Sequence, residues 1–111
     1  HTAIPCRRLT MFVVVNSVSV ADASAKRYEM DVRDHADQYL VGQPGFRQLK
    51  LLHPKSDGDY LLLAYWDSEK AFEQWTETDD FEAAHEELFG AMFLDPEHVD
   101  RYESVTTLEA P

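Results

Sequence analysis

Cysteine is nearly absent from this chain of 111 residues, because Cys6 is the only one. A lone thiol cannot close a disulfide within the chain, and proteins of the reducing cytoplasm rarely contain disulfides. We therefore expect a cytoplasmic protein. The sequence begins with His1 rather than Met, so residues 1–10 are interpreted as a tag remnant, a linker or the seam of a longer polypeptide, and residues 11–111 as one domain.

Long apolar runs are also missing. Hydrophobic residues make up 44% of the chain, which is enough for a core, yet no run approaches the roughly 18 residues that a transmembrane helix needs. The apolar stretch at residues 11–15 is too short for a secretory signal and has no small-residue cleavage site. The sequence therefore predicts no membrane partner.

Positive charge is scarce. Lys and Arg total 10 against 21 Asp and Glu, which gives a net charge of −11. Nucleic acid is an improbable partner because phosphate binding needs a basic patch. The excess acid is spread along the chain, so two interpretations stay open: an ordinary acidic protein, or a halophilic one whose self-repulsion is screened by a high-salt cytoplasm. The chain has only four lysines: Lys26, Lys50, Lys55 and Lys70.

The usual catalytic and metal-binding motifs are absent. No HxxxH or CxxC pair occurs, so structural zinc is not expected. There is no GxSxG, Walker or GxGxxG sequence either. Four of the five histidines are interpreted as structural: His35 lies at the edge of the buried stripe of the first helix, His53 ends a strand, His98 is in a loop, and His1 is terminal.

Periodicity predicts four strands and three helices. The strands are expected at residues 11–20, 46–53, 60–66 and 101–108. Asp22 or Ser24 can cap a helix that ends near residue 40, Ser68 a short one, and Asp79 with Glu82 has the capping-box spacing for another. This order predicts the α+β, ferredoxin-like βαββαβ fold with an antiparallel sheet.

The third strand, with the sequence YLLLAYW, is apolar on both faces. In a small two-layer domain the helices cover only one face of the sheet. The second face therefore needs another cover, and a second copy of the chain is the simplest one. The sequence thus predicts a homodimer.

Three polar or bulky side chains stand at positions that favour apolar ones. Asn16 interrupts the buried face of the first strand, and an unpaired buried amide costs roughly 1–3 kcal/mol; it is either satisfied within the sheet or aimed into a pocket. Trp75 ends the short helix, where it is either a core residue or the wall of a pocket for a planar ligand. His85 shares a helical stripe with Phe81, Ala84 and Leu88, and is either a satisfied core residue or an axial ligand of haem iron.

Three segments together resemble one enzyme superfamily. These are MFVVVNSVSV, the PGF at residues 44–46, and YWDSEKAFEQWTETDDFEAAH at residues 65–85. They resemble the antibiotic biosynthesis monooxygenase superfamily, and most closely its haem-degrading branch, over residues 11–85. The YW, AF, W and FxxAH portions are the specific part of this resemblance.

The resemblance implies a function and a site. His85 would be the proximal ligand of the haem iron, Asn16 a hydrogen-bond donor on the distal side, and Trp75 a wall that presses on the macrocycle, with Phe81 as a further haem contact. Haem would be both cofactor and substrate: with O2 and electrons from an external reductase, the porphyrin is opened and its iron released. The family forms a dimeric α/β barrel, which agrees with the two-sided third strand.

Two other functions stay open at this point. One is a cofactor-independent oxygenase in which Asn16 and Trp75 hold a quinol-like aromatic while O2 reacts directly. The other is a non-catalytic module that binds haem or mediates dimerisation. Both would use the same pocket residues, so the sequence does not distinguish them from the haem-degrading enzyme.

Overall fold

The computed structural model describes residues 10–87, 100–108 and 110, with the exception of the side chains of residues 85–87. Cys6, the seam at residues 1–9, Leu88 and the loop containing His98 therefore lie outside the described residues. The strands are β1 (Phe12–Val18), β2 (Phe46–Leu52), β3 (Tyr60–Trp66) and β4 (Asp100–Glu103). The helices are α1 (Asp22–Leu40), α2 (Glu69–Thr76) and α3 (Asp79–Glu87).

The four strands form one antiparallel sheet in the order β2-β3-β1-β4. The helices pack on one face of this sheet, so the predicted α+β, ferredoxin-like fold is confirmed. Among the described residues the sheet is open, with β2 and β4 at its edges, and the single chain does not close a barrel. None of the described helices combines the length and the apolar character that a membrane crossing requires.

The core lies between the helices and the alternate residues of β1 and β3. Phe12, Val14 and Val18 of β1 face the helices together with Leu62 and Trp66 of β3. Helix α1 contributes the stripe that its 3.6-residue periodicity predicts; its buried members are Tyr28, Val32, Ala36, Tyr39 and Leu40. Trp66 is completely buried, as expected of a core residue.

The second face of the sheet is apolar as well, as the two-sided pattern of β3 predicts. Leu63 and Tyr65 on this face are half-buried, Leu61 is 36% exposed, and Tyr102 of β4 is 56% exposed. Register places Leu63 opposite Val15, and Tyr65 opposite Val13. One chain thus presents an apolar surface on the side of the sheet opposite the helices, with the exposed Lys50 and Gln48 of β2 along one edge.

The capping residues of two helices differ from the prediction. Helix α1 begins at Asp22 after Ala21, and no side chain caps it, so neither Asp22 nor Ser24 has the predicted role. Helix α3 begins at Asp79, but the hydroxyl oxygen of Thr78 accepts from the backbone N–H of Phe81 at 3.2 Å. Thr78 is therefore the cap, one residue before the predicted box.

Other boundaries are close to the prediction. Ser68 does cap α2, since its hydroxyl accepts from the backbone N–H of Ala71 at 3.2 Å. Strand β4 is shorter than predicted: it pairs with β1 only over Asp100–Glu103, and residues 104–108 are not in a strand. The β-forming residues Val105, Thr106 and Thr107 lie beyond the start of β1, with which β4 pairs in the antiparallel sense.

Candidate functional site

Asn16 is the buried polar side chain on the helix-facing side of the sheet. It is 6% exposed and lies between Val14 and Val18 on the same face of β1, with Leu62 of β3 opposite it in register. These neighbours are apolar, so the amide is held where the dielectric is low and hydrogen bonds are strong. The predicted burial of Asn16 is confirmed.

Trp75 ends α2 and is 3% exposed. Its indole N–H donates to the backbone carbonyl oxygen of Tyr39 near the end of α1, at 3.0 Å. The ring also packs on Trp66 at a centroid distance of 5.4 Å. Helix α1 and strand β3 therefore fix both the position and the orientation of the indole.

Phe81 continues this aromatic surface onto α3. Its half-buried ring meets Trp75 edge-on, with centroids 5.0 Å apart and planes at 88°. Edge-to-face contacts of this kind are favourable and orient both rings. The structure thus brings Trp75 and Phe81 into contact.

The backbone of His85 lies in α3, four residues after Phe81 and next to the fully buried Ala84. Positions four apart occupy the same face of a helix. The imidazole of His85 lies outside the described side chains, so its role as axial ligand stays a prediction. Helix α3 packs on both α1 and α2, which holds this backbone in the same layer as Trp75.

Asn16 lies further along the sheet from the aromatic pair. Trp75 packs on Trp66, and Trp66 is paired in register with Phe12 at the start of β1. Asn16 lies four residues further along β1, or about 13 Å at the usual rise of a strand. The amide and the aromatic pair therefore share the layer between helices and sheet, and the buried core residues Val14 and Leu62 lie in the same layer.

The start of α3 is strongly acidic. Asp79, Asp80 and Glu82 lie in its first turn, where the partial positive charge of the helix N-terminus stabilises carboxylates. The side-chain amide of Gln43 donates to Asp80 Oδ2 at 2.8 Å, which ties the turn after α1 to the start of α3. These contacts stabilise the helix that carries His85.

The turn before β2 depends on one glycine of the PGF motif. Gly45 has φ +82°, and a Cβ added to it would lie 2.6 Å from the Cβ of Ala71 in α2. Its carbonyl oxygen also accepts from the backbone N–H of Asp67 at 2.7 Å. Only glycine allows this approach of α2, the helix that ends in Trp75.

The sequence did not indicate the role of Tyr28. Its ring packs edge-on against Tyr60 at 5.4 Å, and its buried hydroxyl has no hydrogen-bond partner among the described residues. Burial raises the pKa of Tyr28 to about 12, and the neighbouring Tyr60 contributes to the shift. Helical periodicity predicts that Tyr28 is buried, but it does not predict which groups surround the Tyr28 hydroxyl.

Comparison with known proteins identifies the family of the chain. The family model of the antibiotic biosynthesis monooxygenases matches residues 11–87. A haem oxygenase (staphylobilin-producing) of Staphylococcus haemolyticus is 30% identical over 79 residues, which cover 68% of this chain and 74% of that protein. The chain belongs to the antibiotic biosynthesis monooxygenase family.

Solved structures share the fold. The crystal structure of a haem-degrading protein of Mycobacterium tuberculosis superposes with a TM-score of 0.65 at 21% identity, over 89% of this chain and 99% of that one. An antibiotic biosynthesis monooxygenase of Bordetella bronchiseptica, known from its crystal structure, superposes with a TM-score of 0.69 at 15% identity, again over 89% and 99%.

Proposed function

We propose that this chain is a haem-degrading monooxygenase of its family. One observation carries the proposal: a buried amide on an apolar sheet face, Asn16, shares a layer with the aromatic pair Trp75 and Phe81 at the helix that bears His85. A flat, largely apolar macrocycle with a polar metal centre needs these chemical groups. The 30% identical relative is a haem oxygenase, which supports the same substrate.

The residues present are of the chemical types that hold haem. His85 would ligate the iron, Trp75 and Phe81 would contact the macrocycle, and Asn16 would offer a hydrogen bond to a bound ligand. Bound haem would supply a redox-active iron that activates O2, and its own porphyrin ring would be the substrate. Opening the ring consumes electrons, so we propose an external donor, most simply a reductase protein.

The chain's own contribution is orientation and exclusion of water. Trp75 is fixed by its hydrogen bond to the Tyr39 carbonyl, so it can press on a bound macrocycle without turning away. The amide of Asn16 lies in an apolar environment, where a hydrogen bond to a polar group on the ligand is stronger than in water. Side chains held in place in this way spend little binding energy on reorganisation.

We further propose a homodimer in which the apolar faces of two sheets, away from the helices, pack together. Leu61, Leu63, Tyr65 and Tyr102 supply the apolar area on this face. Burying such area contributes about 25 cal/mol per Å2. The haem site lies on the opposite face of each sheet, so the two pockets of a dimer would be separate.

Haemin titration tests the function. Added haemin should give the sharp Soret band of a ligated haem in the wild type, and the band should decay in one turnover when a reductant and O2 are supplied. His85→Ala should abolish the ligation. His35→Ala is the matched control, because this half-buried histidine of α1 lies outside the proposed site. Titration at low and at high salt measures how strongly the net charge of −11 opposes the anionic haem.

Other results would contradict the proposal. An unchanged spectrum in His85→Ala would remove the axial role of His85. A stable Soret band under reductant and O2 would indicate a haem-binding module without activity. Turnover of a quinol by the haem-free protein would favour the cofactor-independent oxygenase.

A further inference from the structure

Three metal-ligating side chains converge at the surface, away from the proposed haem site. Glu29 is on α1, Tyr60 begins β3, and His53 lies just after β2. The hydroxyl of Tyr60 donates to Glu29 Oε2, and His53 Nδ1 lies 2.9 Å from both oxygens. One nitrogen and two oxygens thus form a small triangle contributed by three separate elements.

The triangle has the dimensions of a ligand face. Three donors about 2.0–2.2 Å from one metal ion, on one face of an octahedron, are about 2.9 Å from one another. Both distances from His53 Nδ1 have this value, and the third side of the triangle is the hydrogen bond that Tyr60 donates to Glu29. An ion would take the place of the proton in that hydrogen bond.

The site is open to solvent on one side and is packed against buried residues on the other. A cavity of about 250 Å3 opens beside the three side chains, lined also by Val32, Arg33 and Leu51. Tyr60 is buried, and its ring packs against both Tyr28 and His53. His53 is 64% exposed, so solvent or a small anion can complete the coordination.

The charges around the site favour a cation. Glu29 and the nearby Asp22 are acidic, and Arg33 is the opposing cation. Deprotonation of Tyr60 would add a second negative ligand. A carboxylate, a phenolate and an imidazole are hard oxygen and borderline nitrogen donors, and this mixture suits ferric iron better than the softer Cu(I) or Zn.

We propose that Glu29, His53 and Tyr60 form a binding site for non-haem ferric iron at the surface between α1 and the β2–β3 turn. Binding of one Fe3+ replaces the Tyr60 hydroxyl proton, which is released to solvent. Neutral His53 then carries its proton on Nε2 and coordinates through Nδ1. The iron stays ferric throughout, so no electron is transferred.

This inference does not depend on the proposed function. No group of three His, Cys, Asp or Glu side chains among the described residues could hold a metal, so the site requires the tyrosine. If the chain does degrade haem, such a site would be a first acceptor for the iron that the reaction sets free. Its test therefore uses the protein without haem.

Ferric nitrilotriacetate is the probe, added to the full chain in the absence of haem. We expect a visible tyrosinate-to-iron charge-transfer band that saturates at one iron per chain. Tyr60→Phe keeps the ring packing and should abolish the band. Tyr28→Phe is the matched control, because it removes the neighbouring hydroxyl that has no partner among the described residues, and the band should persist.

The other two ligands are tested by affinity. Glu29→Gln and His53→Ala should each weaken ferric binding by at least about tenfold. Circular dichroism of each variant verifies the fold. Absence of the band in the wild type, or its persistence in Tyr60→Phe, would overturn the proposal and leave the three side chains as a hydrogen-bonded contact between α1 and the sheet. Saturable binding of Zn2+ with no ferric band would also overturn it.

Discussion

At the scale of single residues, the environment decides between a structural and a functional role. Trp75 looks like an ordinary core residue by burial, yet its N–H has a specific acceptor on another helix and its ring contacts Phe81. Asn16 is equally buried, but it is polar on an apolar face. Burial was predictable from strand alternation and helical periodicity, whereas the contacts of these side chains were not.

Gly45→Ala should destabilise the fold. The positive φ costs an alanine about 1–2 kcal/mol, and the 2.6 Å approach to Ala71 adds to this. Gly42→Ala is the control, since nothing lies within 4 Å of an added Cβ there, and its effect should stay within about 0.5 kcal/mol. Urea unfolding of both variants measures the difference, and equal midpoints would contradict the role assigned to Gly45.

The raised pKa values of two tyrosines predict that the protein becomes less stable at alkaline pH. Burial raises the pKa of Tyr28 to about 12, and the hydrogen bond to Glu29 raises the pKa of Tyr60 to about 12. A tyrosine in an unfolded chain titrates at about pH 10. The unfolded chain thus releases these protons first, so their contribution to stability is complete below about pH 10 and is lost as the pH rises to about 12.

Denaturation as a function of pH, followed with tyrosinate absorbance, measures this loss. Tyr28→Phe and Tyr60→Phe should each make the alkaline decrease in the free energy of unfolding less steep than in the wild type. Identical slopes for all three proteins would show that neither hydroxyl is held protonated by the fold.

At the scale of elements, strand alternation and helical periodicity predicted each strand and helix of the described residues, but predicted their ends less accurately. Strand β3 was predicted at its observed limits, because its apolar run is bounded by turn residues on one side and by Ser68 on the other. The helix start near Asp79 was predicted correctly, but its cap was misjudged by one residue because Thr78, Asp79 and Asp80 are all good caps. The local sequence does not show which of these three residues caps the helix, because the choice depends on the path that the chain takes as it leaves α2.

Thr78→Val should loosen the connection between α2 and α3. The Thr78 hydroxyl donates to the carbonyl oxygen of Trp75 at 2.7 Å and accepts from the N–H of Phe81. Losing a cap of this kind costs about 0.5–2 kcal/mol. Because α3 carries His85, we expect weaker haem binding in addition to lower stability.

Thr76→Val is the comparison for this variant. The hydroxyl of Thr76 donates only within its own helix, to the carbonyl oxygen of Glu73 at 2.6 Å. Thr76→Val should change the free energy of unfolding by no more than about 0.5 kcal/mol and should leave the haem affinity unaltered. Equal losses in thermal unfolding and haemin titration for the two variants would contradict the linking role of Thr78.

At the scale of the whole molecule, the second face of the sheet is the most informative surface. A single chain presents Leu61 and Tyr102 to solvent on this face, and Leu63 between them is half-buried. Contiguous apolar patches of this kind typically mark an interface. The two-sided pattern of β3 predicted this surface before any coordinates, because each alternate set of its residues must lie on one side of the sheet.

Leu63→Asp and the more exposed Leu61→Asp should convert the proposed dimer into monomers. A charge buried at an interface without a partner costs several kcal/mol, which is enough to shift dissociation by orders of magnitude. Met30→Asp is the control, since Met30 is an exposed apolar residue of α1. Sedimentation equilibrium gives the mass: a monomeric wild type would refute the dimer, as would dimers in both sheet variants.

The amino-acid sequence alone determined the kinds of elements, their order, and the face that each one buries, because these follow from the alternation and helical period of nearby residues. It also determined the family, through side chains at characteristic spacings. Only the tertiary structure decided that Trp75 donates to Tyr39, and that Glu29, His53 and Tyr60 meet at one point. Such contacts join residues far apart in sequence and require placement within fractions of an ångström, which depends on how whole elements cross.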